Sequence, residues 1–411
     1  MPDKFLRRKY LQTSPAGLLS EAVGTRASAV LAPWDATGES VQVPLLDLKA
    51  QYREIREAVL PALTEVLESQ QFIMGPEVGR LETAVARLCH ARHGIGCASG
   101  TDALLLPLKA LELRPDDEVI SPAFTFFATA GTVANTGGRP VFVDIDPATF
   151  NIDPDAVAAA LTPRTRALIA VHLFGQMAPL ERLLPVCEAH GIPLIEDAAQ
   201  AIGARRRIGG ARRMAGEMGQ VGTFSFFPTK NLGGYGDGGM IVTSDDTLAE
   251  RLRRLRQHGG ARQYFHDEVG TNSRLDSLQA AVLLAKLPFL AEWTLARQRN
   301  ARRYDEGLAG LAGVATPVTD SANDHIFHQY TIRAERRAEL QAFLREREIG
   351  TAIYYPLALH LQPCFRDLGY VPGSLPVAER AMTEALSLPI FPELGAERQD
   401  WVIESIRAFY G

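Results

Sequence analysis

Cysteine is scarce in this 411-residue chain: Cys89, Cys97, Cys187 and Cys364 stand far apart, with neither a C-x-x-C pair nor a dense framework. That spacing argues against a disulfide scaffold or a metal site, and for reduced thiols in a cytoplasmic protein. An excess of one charge is lacking too. Lys plus Arg number 43 against 48 Asp plus Glu, a net charge of −5, so no overall basic field would recruit nucleic acid or an anionic membrane. No run approaches the roughly 18 apolar residues that span a bilayer, and there is no internal repeat or low-complexity tract. A composition of 46% hydrophobic and 22% charged residues is ordinary for a soluble globular chain long enough for two domains. Near the start, Leu6–Gln12 (LRRKYLQ) loosely resembles a twin-arginine export signal. Glu21 and Arg26 interrupt the apolar segment such a signal needs, so residues 1–40 are expected to be a poorly ordered extension and the folded body to begin near Val41.

From Gly94 onward, short β-forming runs alternate with helical periodicity. Strands are expected at Ile95–Ala98, Glu118–Ser121, Pro140–Asp144, Ala167–Phe174, Pro193–Glu196, Thr223–Phe227 and Met240–Thr243. Such alternation implies an α/β fold whose mostly parallel sheet is covered by helices on both faces. An amphipathic arm, Lys49–Ser69, leads into it, with Tyr52, Ile55, Val59, Leu63 and Val66 on one face. Helical periodicity from Leu275 to about Tyr304 bridges to a smaller α+β domain. There a strand (Gln329–Arg333), a helix (Arg337–Arg347), a Pro-rich loop (Pro356–Pro376) and terminal helices follow. The expected division is an extension over 1–40, an arm and large domain over 41–295, and a small C-terminal domain over 296–411.

The stretch Ser225–Met240, SFFPTKNLGGYGDGGM, places Lys230 just past the carboxyl end of a strand, because Pro228 cannot sit inside a central one. Chemistry gathers at that edge of α/β sheets, and the glycines that follow let the backbone approach a ligand closely. A lysine so presented can form a Schiff base if its amine escapes permanent solvation. A surface lysine beside a Gly-rich hairpin fits this segment alone equally well. Asp197 ends the buried strand PLI, 33 residues earlier, and would be costly to bury without a cationic partner such as a protonated ligand nitrogen, or else it caps the following turn. Ser99-Gly100-Thr101-Asp102 opens a helix and offers N–H groups and a hydroxyl to a phosphate, or serves as a plain N-cap. Phe124, Phe126 and Phe127 follow another strand end, where one ring can stack on a flat heterocycle while the others pack the core. Together these segments answer the demands of pyridoxal phosphate: a lysine for its aldehyde, a carboxylate for its pyridine nitrogen, a helix start for its phosphate and an aromatic face for its ring.

The sequence also resembles the DegT/StrS sugar-nucleotide aminotransferases of the aspartate aminotransferase superfamily, fold type I, from about Val41 to Tyr410. The marks are GPEV at Gly75–Val78, SGTDAL at Ser99–Leu104, DAAQ at Asp197–Gln200, SFFPTKNLG at Ser225–Gly233, GDGG at Gly236–Gly239, NSRLDSLQAAVL at Asn272–Leu283 and LSLPIFP at Leu386–Pro392. The resemblance implies that Lys230 is the Schiff-base lysine and Asp197 the partner of the pyridine nitrogen. It puts Gln200 near the ring hydroxyl, Phe126 on the ring, and Thr101, Asp102 and Ser225 at the phosphate. Asn272 would reach the phosphate from the other subunit, which implies a homodimer with shared active sites. Pyridoxal 5′-phosphate is the implied cofactor, with its pyridoxamine form as an intermediate; the implied substrates are a nucleotide sugar and an amino acid, usually L-glutamate. Histidine replaces the lysine in the family's dehydratase-like members, so Lys230 points to amino transfer. Tyr354 and His360 are expected near the sugar, and Arg262, Tyr264 and His266 near the nucleotide diphosphate of the partner, unless they are plain surface or interface residues. The segment HGGARQYFHDEVGTNSRLD looks closer to enzymes aminating 3-keto sugars than to those acting at C4. A ketocyclitol or aminoshikimate-type substrate, and a non-catalytic sensor or assembly role, are the rival readings.

Overall fold

The computed structural model describes residues 42–411; the expected extension and its LRRKYLQ segment lie outside the described residues. Along the chain come β1 (His93–Cys97), β2 (Glu118–Pro122), β3 (Arg139–Val143), β4 (Thr165–Val171), β5 (Leu194–Asp197), the hairpin β6 (Arg205–Ile208) and β7 (Ala211–Met214), then β8 (Val221–Ser225) and β9 (Gly239–Thr243). All but the hairpin join one seven-stranded sheet in the order β1-β9-β8-β5-β4-β2-β3. Neighbours are parallel except where β9 is involved, so β9 alone runs against the other six.

Burial explains the choice of parallel pairing. Strands β2 and β5 are buried at every residue, as parallel strands covered on both faces must be. In β4 the side chains alternate between the two cores: Ala167, Ile169 and Val171 pack into one apolar cluster, Leu168 and Ala170 into the other. The helices are α1 (Leu48–Ser69), α2 (Pro76–Leu88), α3 (Gly100–Ala110), α4 (Ala128–Asn135), α5 (Pro154–Ala160), α6 (Leu180–His190), α7 (Asp246–Leu255) and α8 (Ser277–Lys286). Apolar faces of α3, α4 and α7 fill the first cluster; those of α2, α5, α6 and α8 fill the second. The fold is therefore α/β, with a mostly parallel central sheet between two helical layers.

Beyond the sheet lie α9 (Leu290–Leu308), β10 (Val314–Ala315), β11 (Asn323–Asp324), β12 (Tyr330–Ala334), α10 (Arg337–Glu346), α11 (Pro376–Glu384), β13 (Ala385–Leu388) and α12 (Ala396–Tyr410). A small antiparallel sheet, β10-β12-β13, packs with Tyr304, Trp401 and Ile406 in a separate core. Strand β13 falls where the sequence reading expects only terminal helices. Its four residues carry a two-residue alternation too short to register, and Ser387 Oγ pairs with Thr331 Oγ1 across the ladder at 2.8 Å. The expected division after residue 295 falls inside α9, which runs unbroken from one core to the next, and Val43 buries itself in the C-terminal core. The stretch Ser277–Leu308 is long and apolar enough, by length and composition, to cross a membrane, an exception to the expected lack of such runs. A 3₁₀ turn at Leu287–Phe289 interrupts it, and α8 buries Ala280, Ala281, Val282 and Leu283.

Candidate active site

The site is built where β5 and β8 end side by side, with Asp197 opposite Thr223. Successive strand residues face opposite ways, and Glu196 and Asp197 use that alternation. Glu196 is fully buried; its carboxylate accepts hydrogen bonds from His172 Nε2 (2.8 Å) and from the backbone N–H groups of Gly216, Met218 and Gly219. His172 Nδ1 accepts from the Ala178 N–H at 3.1 Å, which leaves Nε2 as the ring's donor to Glu196. This satisfied network pins the corner between β4 and β5, and the backbone N–H of His172 donates to the Asp197 carbonyl at 2.9 Å.

Asp197 is 5% exposed. Thr129 Oγ1 donates to its Oδ2 at 2.8 Å and the Ala199 N–H to its Oδ1 at 3.2 Å. Burial pushes the carboxyl above its ordinary range, while those two hydrogen bonds, then Lys230, pull it back. A cation in contact would complete the balance. Thr129 is a site residue that the sequence reading does not single out, although Thr125 and Thr129 one helical turn apart, hydroxyls 3.2 Å from each other, are the pattern that signals it.

Lys230 sits in the turn after β8, its N–H donating to the Phe227 carbonyl at 2.9 Å. Burial lowers its ammonium to about 8, against the opposing pull of Asp197. At pH 7 about a tenth of such amines are neutral, against fewer than about one in a thousand for an ordinary lysine. Burial favours the neutral form, so the reactivity of Lys230 toward an aldehyde should rise as pH climbs through about 8. Modification rates of the cofactor-free protein, followed at Lys230 by peptide mapping, should show that midpoint; one near 10 would place the amine in open water. Next to it, His328 is buried and donates from Nδ1 to Asn231 Oδ1 at 3.0 Å. Burial, then Lys230 and Arg297, hold His328 neutral. Sequence reading missed this histidine, because a buried His far along the chain carries no local signature.

The start of α3 is open to an anion. Ser99 caps it: its Oγ accepts the Asp102 N–H at 3.1 Å and its carbonyl the Ala103 N–H at 2.9 Å. Gly100 and Thr101 N–H groups remain, at the positive end of the helix, with the Thr101 side chain exposed. Ser225 lies against Gly100 so closely that a Cβ there would stand 2.5 Å from the Ser225 Cβ; only glycine lets the two meet. The Asp102 carboxylate accepts from Ser273 Oγ at 2.8 Å, which ties this helix start to the segment before α8.

On the remaining side, Phe126 is 57% exposed, its ring centroid 6.2 Å from that of Tyr355. Phe124 is buried and Phe127 stacks on Phe365, so Phe126 is the most exposed of the three rings. Gln200 donates from Nε2 to the Tyr355 hydroxyl at 3.0 Å and accepts the Phe174 N–H at 2.7 Å. Tyr355 thus reaches Gln200, while Tyr354, expected near the sugar, is half-buried beside Gln329. His360 is buried with Nε2 bonded to Glu379 Oε1 at 3.0 Å and its ring edge on Tyr370, engaged within its own loop region. Arg262, Tyr264 and His266 are exposed on the 257–272 loop, lining a cleft of about 1020 Å³ with Arg253, Arg254 and Arg274. Asn272 is exposed at the base of that loop, paired with Gln257. Among the described residues, none of these is hydrogen-bonded or ion-paired to the Lys230 side chain of the same chain.

The residues present fit pyridoxal phosphate: open N–H groups and two hydroxyls for the phosphate, a buried carboxylate lacking a cation, an uncovered aromatic face and a lysine held partly neutral. The profile of the DegT/DnrJ/EryC1/StrS aminotransferase family matches residues 53–407. A relative from Geobacillus stearothermophilus, named a pleiotropic regulatory protein, is 53% identical over 90% of this chain and 99% of its own. A UDP-N-acetyl-3-dehydro-alpha-D-glucosamine 3-aminotransferase from Acidithiobacillus ferrooxidans is 44% identical over 88% of this chain and 96% of its own. Among solved structures, DesV of S. venezuelae in complex with a ketimine intermediate superposes with a TM-score of 0.87 at 44% identity, covering 90% of this chain and 99% of that one. The chain thus belongs to the DegT/DnrJ/EryC1/StrS family of pyridoxal-phosphate-dependent sugar-nucleotide aminotransferases.

Proposed function

We propose that this enzyme, as a cytoplasmic homodimer, moves the amino group of L-glutamate to C3 of a 3-keto sugar carried on a nucleoside diphosphate, in aminosugar biosynthesis. The observation that carries the reading is a buried Asp197 at the end of β5 with Lys230 just past the end of the neighbouring β8, at one edge of the sheet. When bound, pyridoxal phosphate supplies the aldehyde that takes up the amino group and the ring that stabilises the electron pair of the broken C–H bond. Lys230 Nζ accepts the proton from the donor's α-carbon and later returns one to C3 of the acceptor. Asp197 holds the ring nitrogen protonated, the α3 start with Thr101 and Ser225 binds the phosphate, and Phe126 covers the ring. Asp102, oriented by Ser273, lies at the same helix start, and Gln200, locked between Phe174 and Tyr355, lies at the ring's edge.

Asn272 and the 257–272 loop with Arg262, Tyr264 and His266 are assigned to the partner's site, where an arginine-lined cleft suits a diphosphate. Amination at C3 is supported by the name of the UDP-sugar relative. The regulatory name of the Geobacillus relative favours the non-catalytic alternative. Release of 2-oxoglutarate from L-glutamate, measured over a panel of UDP- and dTDP-linked 3-keto and 4-keto sugars and a ketocyclitol, decides between them. The expected result is a kcat/KM for 3-keto nucleotide sugars at least about 10²-fold above the others. A preference for the ketocyclitol or a 4-keto sugar would overturn the substrate, and turnover of none would leave the regulatory role.

A further inference from the structure

Lysine 286, at the end of α8, is 1% exposed, and no carboxylate pairs with it among the described residues. An ammonium buried without a counter-ion is costly, and a methionine would fill the same space without that cost. What the ammonium does have is the Gly233 carbonyl, 2.8 Å from Nζ, and the face of Tyr235, 4.4 Å away. Both belong to the loop that begins at Lys230. Burial lowers the amine to about 8, so at neutral pH it remains mostly charged and donates a charge-assisted hydrogen bond.

Seven residues earlier, and so on the same face of α8, Gln279 Oε1 accepts the Tyr235 N–H at 2.7 Å. The amide lies so close to the loop that a Cβ at Gly234 or Gly236 would stand 2.8 or 2.9 Å from it. The segment leading into α8 is held just as firmly. Ser273 is fully buried; its N–H donates to the Arg256 carbonyl at 2.9 Å and its hydroxyl to Asp102 at the start of α3. Ser277 Oγ accepts the Gly75 N–H at 3.0 Å, fixing the first turn of the helix. One short rigid piece, residues 273–286, therefore touches the phosphate-binding helix start at one end and the Lys230 loop at the other.

We infer that α8 and the residues before it form a spacer that sets the distance between the phosphate cradle and Lys230, with Lys286 and Gln279 as positioning residues that clamp the loop. The inference rests on the assignment of Lys230 as the cofactor-linked lysine. A spacer predicts a particular loss: cofactors that carry a phosphate suffer more than those that lack it, because only they must satisfy both ends at once.

The test compares wild type, Lys286→Met and Gln279→Ala as full-length protein. Two quantities are read: amide exchange at Gly234 and Tyr235 without cofactor, and the affinities of pyridoxal phosphate and phosphate-free pyridoxal for forming the lysine-dependent absorption band. In the variants, exchange at these two amides should rise about tenfold or more with little change in the central strands, and the preference for the phosphorylated form should fall about tenfold. An unchanged preference, or exchange rising equally throughout the chain, would overturn the spacer and leave Lys286 a packing residue. If Lys286→Met does not fold, Gln279→Ala, at a half-buried side chain, carries the same two readouts. A band that survives Lys230→Ala would instead overturn the lysine assignment itself, so the two failures are distinct.

Discussion

Replacing Lys230 with Ala should lower turnover by about 10⁴-fold or more while the protein stays folded. On the proposed mechanism the side chain carries both the covalent hold on the cofactor and the proton transfers, and alanine can supply neither. Stability should barely move, by less than about 1 kcal/mol, because Nζ makes no hydrogen bond among the described residues and burial already disfavours its charge. Steady-state kinetics beside a urea melt checks both halves. Appreciable amino transfer by the variant would remove Lys230 from the chemistry.

Asp197→Asn should cost about 10²- to 10³-fold in kcat/KM, the scale expected when one preorganised electrostatic partner of the reacting system is lost. Asparagine is the informative choice because it keeps the shape. Its carbonyl can still accept the Ala199 N–H, and the Thr129 hydroxyl can turn from donor to acceptor. What disappears is the negative charge, which burial already strains. The melt should therefore stay within about 1 kcal/mol of wild type, or improve slightly. Asp197→Ala, by contrast, would strand the Ala199 N–H, at about 1–3 kcal/mol, and leave the Thr129 hydroxyl only its Thr125 neighbour. Near-wild-type activity in Asp197→Asn would mean that the carboxylate is structural.

What could be read ahead of the structure follows from how local each signal is. Lys230 after a strand and a proline, Asp197 at the end of PLI, and Ser99 at a helix start are each written within a few residues, and these are the features that mark the site. The supports are not local. Thr129 meets Asp197 across 68 residues, Ser273 meets Asp102 across 171, and Lys286 meets Gly233 across 53. No periodicity encodes such pairs, since they depend on which strand ends the topology sets side by side. The alternation of strands and helices conveyed the central sheet for the same reason it missed β13: a buried parallel strand is a dense apolar run, whereas the four residues ALSL resemble any terminal stretch. The contrast between Tyr354 and Tyr355 shows the remaining gap. Adjacent tyrosines in an irregular loop give no pattern that says which of them turns toward Gln200.

The most direct measurement is the visible absorption of the purified protein with pyridoxal phosphate, before and after L-glutamate, with Lys230→Ala alongside. A yellow band that requires Lys230 and bleaches on adding glutamate is the predicted result, and it would join the lysine, the cofactor and the amino donor in one observation. A wild-type protein that forms no such band, or one whose band ignores both glutamate and the loss of Lys230, would contradict the account at its first step.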